Sequence, residues 1–177
     1  MARDLERAPA QDVRLVPWSK DDFDLLVRHN APEMTAHLGG PEPDEKLLDR
    51  HRRYLGLEGG RSGRMFRIVA GPGEKTAGIV GFWETTHRGE DVWEAGWGVL
   101  PESQGHGIAG AAVRLVVAAA RGAGTHRHLH AFPSVDNAAS NGVCRKAGFV
   151  LLGEEEMEYP KGHWMRCNDW RIDLTQG

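Results

Sequence analysis

A run of closely spaced glycines is the strongest candidate for ligand binding in the sequence. Residues 105–110 read Gly-His-Gly-Ile-Ala-Gly, and a helical pattern begins at Ile108. Unpaired backbone amides at the start of a helix bind phosphate groups, and glycine lets a ligand approach that backbone closely. We therefore predict a pyrophosphate-binding turn here, with an ordinary strand-to-helix connection as the alternative.

The same six letters match the dinucleotide-binding fingerprint G-x-G-x-x-G, which is a weak signal by itself. In a Rossmann fold the fingerprint follows a strand directly, and an acidic residue about 20 positions later binds the ribose. Here residues 101–104 separate the loop from the strand, and the first acidic residue after the loop is Asp136. This context disfavours a Rossmann fold and an NAD-dependent oxidoreductase.

Polar side chains also share one face of a helix predicted over residues 136–147. At about 100° per residue, one stripe of this helix carries Asn137, Ser140, Asn141 and Cys144. The side expected to face a sheet carries Ala139, Val143 and Ala147. An amide, a hydroxyl and a thiol on one stripe suit the amides and sulfur of an extended ligand. The structural alternative is a capped helix start and a small buried thiol.

A carboxylate in the strand predicted over residues 91–100 could accept a proton. Period-2 alternation places Glu94 on the same face as Gly96 and Gly98, where missing side chains leave room for a ligand. A carboxylate there can take a proton from an amine, directly or through water. Glu84, at the end of the preceding strand, is the second candidate. A solvated strand charge is the structural alternative.

Three histidines, His126, His128 and His130, alternate along another predicted strand and could suggest a metal site. No cysteine, aspartate or glutamate at a matching spacing accompanies them, so we predict a polar strand face and no bound metal. The acidic run at residues 154–158 is typical of a solvated sheet edge that discourages further strand pairing.

Hydrophobic periodicity predicts the elements that carry these residues. Strands are expected near residues 13–16, 64–70, 76–85, 91–100, 126–132, 149–152 and 164–174, and helices after Ser19, near 41–44, at Ile108 and at Asp136. The first helix has its apolar stripe at Phe23, Leu26 and Val27, and the helix at Ile108 has its stripe at Ile108, Ala112, Leu115, Val116 and Ala119. Short connections make residues 64–100 an antiparallel meander. We predict an α+β fold: one mixed sheet, a meander followed by β-α-β-α-β, with helices on both faces.

The composition is that of an ordinary globular protein, with 177 residues, 40% hydrophobic and 27% charged, and a net charge of −3. We predict a flexible tail at residues 1–12 and one domain over 13–177. No basic block points to nucleic acid, and the apolar run at 115–120 is far too short to span a membrane. Two cysteines and a charged N-terminus without a signal peptide indicate a cytoplasmic protein.

Two segments resemble the motifs of one enzyme family. Residues 97–109 are similar to motif A of the GNAT N-acetyltransferases, Q/R-x-x-G-x-G/A, with Gln104, Gly107 and Ala109 at its defining positions. Residues 137–149 are similar to the family's N-x-x-S/A…K-x-G-F segment. The resemblance covers residues 13–174 and is nearest to the RimJ/RimL-like branch, which acetylates protein N-termini.

The resemblance implies that an acetyl group passes from acetyl-CoA to a primary amine, in a protein N-terminus or a small molecule, by direct attack in a ternary complex. It implies CoA contacts at Gly98, Val99, Leu100, Gln104, Gly105, His106, Gly107, Ile108, Ala109, Asn137, Ser140 and Cys144, with Glu94 as the proton acceptor. No nucleic-acid or membrane partner is expected, and a homodimer is compatible with the sequence. A non-catalytic acyl-CoA-binding or regulatory domain is the alternative function.

The catalytic acid is the point at which the sequence departs from the family pattern. In many relatives a tyrosine, two positions before the lysine of the K-x-G-F segment, protonates the departing thiolate; Cys144 occupies that position here. A thiol with a pKa of about 8.5 can donate a proton near neutrality. We therefore favour Cys144 over Ser140, one turn earlier. An acyl-enzyme formed on Cys144 is a third alternative.

Overall fold

The computed structural model describes residues 12–57 and 59–177. Its strands are β1 (Val13–Pro17), β2 (Gly63–Ala70), β3 (Lys75–His87), β4 (Glu90–Val99), β5 (His128–Ala131), β6 (Val150–Glu158) and β7 (Trp164–Asp173). Its helices are α1 (Phe23–His29), α2 (Pro32–Thr35), α3 (Asp44–Gly56), α4 (Ile108–Ala123) and α5 (Ala138–Lys146), with short 3₁₀ turns at Lys20–Asp22 and Pro101–Ser103. The tail predicted at residues 1–12 lies outside the described residues apart from Asp12, whose carbonyl accepts a hydrogen bond from Gly71.

The strands form one sheet in the order β1-β2-β3-β4-β5-β7-β6. β1 to β4 are an antiparallel meander, β4 pairs with β5 in parallel, and β7 pairs antiparallel with both β5 and β6. The predicted mixed α+β fold is confirmed. The sequence did not predict that β7 would lie between β5 and β6 in the sheet. Burial explains this order, because Cys167, Asp169 and Trp170 of β7 are buried, whereas the edge strand β6 is mostly exposed.

The element boundaries follow local signals that the sequence carries. Ser19 and Asp22 form a capping box in which the Asp22 carboxylate accepts from the Ser19 amide at 2.8 Å, which confirms the predicted helix start. The acidic run at residues 154–158 does lie in the edge strand β6, although that strand continues to Glu158 instead of ending at Leu152. The helix α2 was not predicted.

The helices α4 and α5 pack on one face of the sheet, and together they bury the main hydrophobic core. The face of α4 that enters this core carries Ala112, Val113, Val116, Val117 and Ala120. The prediction that Leu115 faces the core is wrong, because Leu115 is 41% exposed. The buried face of α4 is rotated by about one residue, toward the positions whose small side chains allow the helix to approach the sheet closely.

The helices α1 and α3 cover part of the opposite face. They enclose a second hydrophobic cluster made of Trp18, Leu25, Leu26, Met65, Ile79 and Leu100. Val27, predicted to join the apolar stripe of α1, is exposed instead. Helices thus lie on both faces, as predicted. Within the described residues, no helix has the length and apolar character needed to cross a membrane.

Candidate functional site

A cleft opens where β4 and β5 separate. The two strands pair in parallel at Trp93–Leu129 and at Glu94–His130, and no further ladder pair joins them within the described residues. β4 nevertheless continues to Val99. From Ala95 to Gly98, the edge of β4 that faces β5 therefore offers free backbone N–H and C=O groups. An extended ligand can pair with such an edge as an added strand does.

The glycine loop lies at the end of β4 that is farther from the pairing with β5. Gly105 and Gly107 have φ of +79° and +75°, and a Cβ on either would meet no atom within 4 Å. Glycine adopts this left-handed backbone without the penalty that other residues pay. The side-chain amide of Gln104 donates to the Val99 carbonyl at 2.9 Å, which fastens the loop to the strand. The loop is an exposed cradle of backbone amides.

The predicted cofactor residues contribute to this cradle in different ways. The side chains of Leu100 and Ile108 are buried in the two hydrophobic clusters, so these residues can offer a ligand only their backbone. His106 is exposed, with Nδ1 at 3.4 Å from the Ser103 carbonyl. Beside the loop, a pocket of about 290 Å³ is lined by Ala70, Lys75, Ala77, Glu102, Ser103 and His106. The free amides of the cradle are suited to the phosphate groups of an extended ligand.

The helix α5 places its polar stripe toward the protein interior. The Asn137 side chain accepts from the Ser140 amide at 3.1 Å and so caps the helix. Asn141 donates to the Ser134 and Asn137 carbonyls and accepts from Asn168 and from the Trp170 indole, the last two at 2.8 Å. Four hydrogen bonds satisfy this buried amide completely. Asn141 therefore anchors α5 to β7.

The prediction that Ala139, Val143 and Ala147 form the sheet-facing side of α5 is wrong at Ala139 only, because Val143 and Ala147 are partly buried against the main core. Ala139 is exposed, whereas Cys144 is fully buried in the main core. Burial raises the pKa of the Cys144 thiol to about 12. Ser140, by contrast, is half-buried, and its hydroxyl has no hydrogen-bond partner among the described residues. The catalytic role of Cys144 stays a prediction, and this burial weighs against it.

The face of β4 that carries Glu94 is covered by side chains of the protein. A Cβ on Gly96 would lie 2.6 Å from the ring of Trp83, and a Cβ on Gly98 would lie 2.8 Å from Nδ1 of His29. The expectation that these glycines leave space for a ligand is therefore corrected: they make room for an indole and an imidazole. Burial raises the pKa of Glu94, against smaller opposing effects of Trp83 and His87.

Glu84, the second candidate base, lies on the other face of the sheet. It pairs in register with Trp93, whose side chain belongs to the core beneath α4. Its carboxylate lies 2.9 Å from Nε2 of His126. His126 precedes β5 and packs on Trp93, so it does not share a face with His130 as predicted. Glu84 is therefore separated by the sheet from the face that carries Glu94.

Sequence reasoning missed a cluster of acid–base side chains near Glu94. Asp169 of β7 lies between two histidines, with His130 Nδ1 at 2.7 Å from one carboxylate oxygen and His87 Nε2 at 3.1 Å from the other. Glu155 of β6 lies 3.4 Å from His87 Nε2 and also pairs with Arg88. We call His87, His130 and Asp169 the histidine–aspartate cluster. Their ligand atoms lie within 4.8 Å of one another, close enough to hold a metal ion, and the absence of a metal stays a prediction.

Solved structures with this fold are numerous. An acetyltransferase of the GNAT family from Bacillus anthracis superposes with a TM-score of 0.75 at 16% identity, over 94% of this chain and 98% of that one. An acetyltransferase from Salmonella typhimurium that modifies the N-terminal serine of ribosomal protein L7/L12 gives 0.71 at 19% identity, over 94% and 96%. A spermidine N-acetyltransferase from Vibrio cholerae, in complex with CoA and spermine, gives 0.73 at 17% identity, over 96% and 98%.

At these identities the structural similarity establishes the fold, whereas the family assignment comes from the sequence. No curated protein matches the sequence. The sequence profile of the acetyltransferase (GNAT) domain matches residues 12–150, which is more than half of the chain and includes both β4 and the glycine loop. The enzymes of this family use acetyl-CoA, which agrees with the cleft and the amide cradle described above. The chain therefore belongs to the GNAT family of acetyltransferases.

Proposed function

We propose that this protein transfers the acetyl group of acetyl-CoA to a primary amine by direct attack in a ternary complex. One observation carries the proposal: β4 separates from β5 immediately after the Glu94–His130 pair, so a free strand edge runs from a half-buried carboxylate toward the glycine loop. A ligand held along that edge would place its reactive end beside Glu94. This is the arrangement that acyl transfer to an amine requires.

The chain holds the cofactor mainly through its backbone. The backbone amides of residues 105–109, at the positive end of α4, are suited to the pyrophosphate, whereas the Gln104 amide donates to the Pro101 carbonyl. The free edge of residues 95–98 is suited to the amides of the pantetheine arm, and its N–H groups can stabilise negative charge on the carbonyl oxygen of the thioester. When bound, acetyl-CoA supplies the thioester carbonyl that the amine attacks and the thiol that departs.

Glu94 is the proposed proton acceptor. An alkylammonium has a pKa of about 10, so an amine must lose a proton before or during its attack. Burial raises the pKa of Glu94, which makes this carboxylate a stronger base than an exposed glutamate. It also lies at the last position where β4 pairs with β5. Both properties suit a residue that removes a proton from an amine entering the cleft.

Ser140 is the proposed hydrogen-bond donor to the departing sulfur, and Cys144 is the alternative. The Ser140 hydroxyl lies in the first turn of α5 and is partly accessible, whereas the Cys144 thiol is buried and its pKa is raised to about 12. A thiol of that pKa donates a proton poorly to a thiolate that is itself a weaker base. The burial of Cys144 equally disfavours an acyl-enzyme on its sulfur.

The proposed acceptor is a protein N-terminus or a small-molecule amine. Proteins of the same fold act on both classes, as the L7/L12 acetyltransferase and the spermidine acetyltransferase do. In this chain the tip of the β6–β7 hairpin contacts two neighbouring parts of the chain. One is the segment between α1 and α3, and the other is the helix α3. Gly39 lies against His163 and Pro160, and Arg50 donates to the Tyr159 hydroxyl at 2.9 Å.

The test is release of free CoA thiol from acetyl-CoA in the presence of candidate amines. The screen covers peptides with free N-termini, polyamines and aminoglycosides, with N-acetylated peptides as matched controls that lack the amine. We expect amine-dependent thiol release and a product heavier by one acetyl group in mass spectrometry. CoA binding without thiol release from any amine would instead support the non-catalytic acyl-CoA-binding domain.

A further inference from the structure

The histidine–aspartate cluster lies next to the proposed site, and the chemistry described so far does not use it. His130 is the register partner of Glu94 across the parallel β4–β5 pair. Register partners in a sheet point to the same face, with Cβ atoms roughly 5 Å apart. A glutamate and a histidine at that separation can exchange a proton directly or through one water. His87, another member of the cluster, lies close enough for its charge to act on Glu94. The cluster is therefore adjacent to the proposed proton acceptor.

We propose that His130 is a proton relay of the acetylation site, and that Asp169 and His87 position it. In this inference, which rests on the proposed function, Nε2 of His130 receives the proton that Glu94 takes from the attacking amine. Asp169 holds His130 through Nδ1, and His87 holds the second oxygen of Asp169. The relay returns Glu94 to its ionised form within the site.

The hydrogen bonds determine the tautomer of His130. Burial alone would raise the pKa of Asp169, but the hydrogen bonds and charges of His130 and His87 hold it below its ordinary value. Nδ1 of His130 lies 2.7 Å from a carboxylate oxygen of Asp169, and because an ionised carboxylate only accepts hydrogen bonds, this nitrogen is the protonated donor. The lone pair of the neutral ring is then at Nε2. An aspartate that holds a histidine in this tautomer also stabilises the imidazolium that forms.

Packing fixes the orientation of the ring. His130 stacks on Phe132 with ring centroids 5.6 Å apart and planes inclined by 14°, and His87 packs against both rings at about 5 Å. The side chains of His130 and Asp169 are 5% and 1% exposed. A ring held on three sides loses little entropy when it accepts a proton. This rigidity is what a positioned acid–base group needs.

The proton balance of the relay is simple. The amine loses a proton to the Glu94 carboxylate as the new C–N bond forms, and Glu94 passes that proton to His130 Nε2. The imidazolium is paired with Asp169 and then loses a proton to water. The charged and titratable groups that face His130 are His87 from β3, Glu94 from β4, His128 from β5, Glu155 from β6, and Cys167, Asp169 and Arg171 from β7.

The decisive variant is His130→Asn. Its side-chain NH₂ replaces Nδ1–H and can still donate to Asp169, but nothing replaces Nε2. We expect kcat with the amine found in the screen to fall by roughly 10- to 100-fold, with KM for the amine changed less than about threefold. The acidic limb of the pH–rate profile should also change. His128→Asn is the matched control, because His128 lies on the same strand and face but outside the cluster. Its kcat should stay within about threefold of wild type.

A second variant and a spectroscopic measurement keep the inference testable if His130→Asn does not fold. Asp169→Asn should lower kcat by a similar factor, because the neutral amide no longer imposes the Nδ1–H tautomer. Histidine ¹⁵N spectra of the protein without substrate should show neutral His130 protonated at Nδ1, and Asp169→Asn should alter that signal. A proton on Nε2 in the wild type would overturn the relay.

The outcomes separate this inference from the proposed function. An active wild type together with a fully active His130→Asn would overturn the relay and leave the acetyltransferase standing. A wild type that binds CoA and releases no thiol with any amine would overturn the proposed function, and the relay with it. Loss of kcat in His130→Asn and Asp169→Asn but not in His128→Asn would support both.

Discussion

The glycine loop and the histidine–aspartate cluster are built in opposite ways. The loop uses consecutive residues, 104–109, and works through backbone amides, with no side chain at Gly105 and Gly107 to block a ligand. The cluster uses side chains from β3, β5 and β7, between 1% and 15% exposed, and its groups act only as hydrogen-bonded partners. Substitutions that add side-chain atoms should therefore weaken ligand binding at the loop. Substitutions that remove a hydrogen-bonding side chain should disrupt the cluster.

The two regions also differ in how they handle charge. The loop presents the positive end of α4 to solvent, where a bound anion replaces water at little cost. Glu94 and His87 are half-buried, and His130 and Asp169 are buried, so each charge there must be balanced by a neighbour or be discouraged by desolvation. Substitutions at Glu94 or in the histidine–aspartate cluster should therefore leave CoA affinity nearly unchanged but lower kcat.

The largest effect is expected from Glu94→Gln, on the buried side of the comparison. Loss of the carboxylate should lower kcat by roughly 10²-fold or more and leave CoA affinity nearly unchanged, as for a removed general base. Because burial raises the pKa of Glu94, the wild-type rate should rise with pH through a value above that of an ordinary glutamate. The variant should lack this acidic limb in its pH–rate profile.

Glu84→Gln is the matched control for that variant, because Glu84 lies on the other face of the sheet. It should keep kcat within about threefold of wild type. A loss of less than threefold in Glu94→Gln with an unchanged pH profile would show that Glu94 is a structural residue. A large loss in Glu84→Gln would contradict the assignment of the two faces.

His29, which covers Gly98, should make stability depend on pH. Burial, and then the charge of Arg28, lower the pKa of His29 to about 4 in the folded protein. The unfolded chain, with a pKa of about 6.5, binds the proton first as the pH falls. This contribution to stability is complete above about pH 6.5 and is lost between that pH and about 4, amounting to about 2–3 kcal/mol.

Urea unfolding at pH 7 and near pH 4.5 measures this loss. His29→Gln cannot be protonated, so the free energy of unfolding should change less between the two pH values than in the wild type. His37→Gln, an exposed histidine of the neighbouring segment, should keep the wild-type difference. Equal pH dependence in His29→Gln and wild type would contradict the burial of His29 in a neutral form.

Gly107→Val tests the exposed side of the comparison. An isopropyl group over the amide cradle should weaken CoA binding by more than about tenfold. Because φ at Gly107 is +75°, a β-branched residue also strains the start of α4. Gly107→Asn separates the two causes, since asparagine tolerates this backbone conformation and should weaken binding less.

Isothermal titration with CoA gives the affinities, and thermal unfolding shows whether the variants remain folded. A folded Gly107→Val protein that binds CoA as the wild type does would remove the loop from the cofactor site. Since the loop is separate from the acid–base groups, Gly107→Asn should lose affinity without a new pH dependence of kcat.

The smallest catalytic effects are expected from Ser140→Ala and Cys144→Ala. A departing thiolate needs little protonation, so Ser140→Ala should lower kcat at saturating acetyl-CoA by about tenfold or less. Cys144→Ala should leave kcat close to wild type and instead cost about 1 kcal/mol of stability, because the thiol fills space in the core. A larger loss of kcat from Cys144→Ala would restore Cys144 as the acid.

The sequence predicts candidate site residues best where they are local. The glycine loop and the strand position of Glu94 follow from short patterns, because neighbouring residues share one turn or one strand. The burial of the polar stripe of α5 was missed for a physical reason. Helical periodicity shows that Asn141 and Cys144 share a face, but whether that face is buried depends on Asn168 and Trp170, which satisfy the Asn141 amide.

The histidine–aspartate cluster could not be predicted from local patterns. Its hydrogen bonds join residues 39 and 82 positions apart, and they form because β7 is inserted between β5 and β6. Strand alternation grouped His130 with His126, which packs elsewhere. The one available signal was Asp169, a carboxylate among the apolar residues of the last strand, since such a charge is buried only when partners hold it.

The close packing of side chains against Gly96 and Gly98 of β4 has an evolutionary consequence. Trp83 occupies the space that a side chain at Gly96 would need, and His29 does the same at Gly98. In a diverging lineage, a larger residue at position 96 becomes acceptable only after position 83 has lost its indole, and position 98 depends on position 29 in the same way. Substitutions at the two positions of each pair should therefore be inherited together across orthologues.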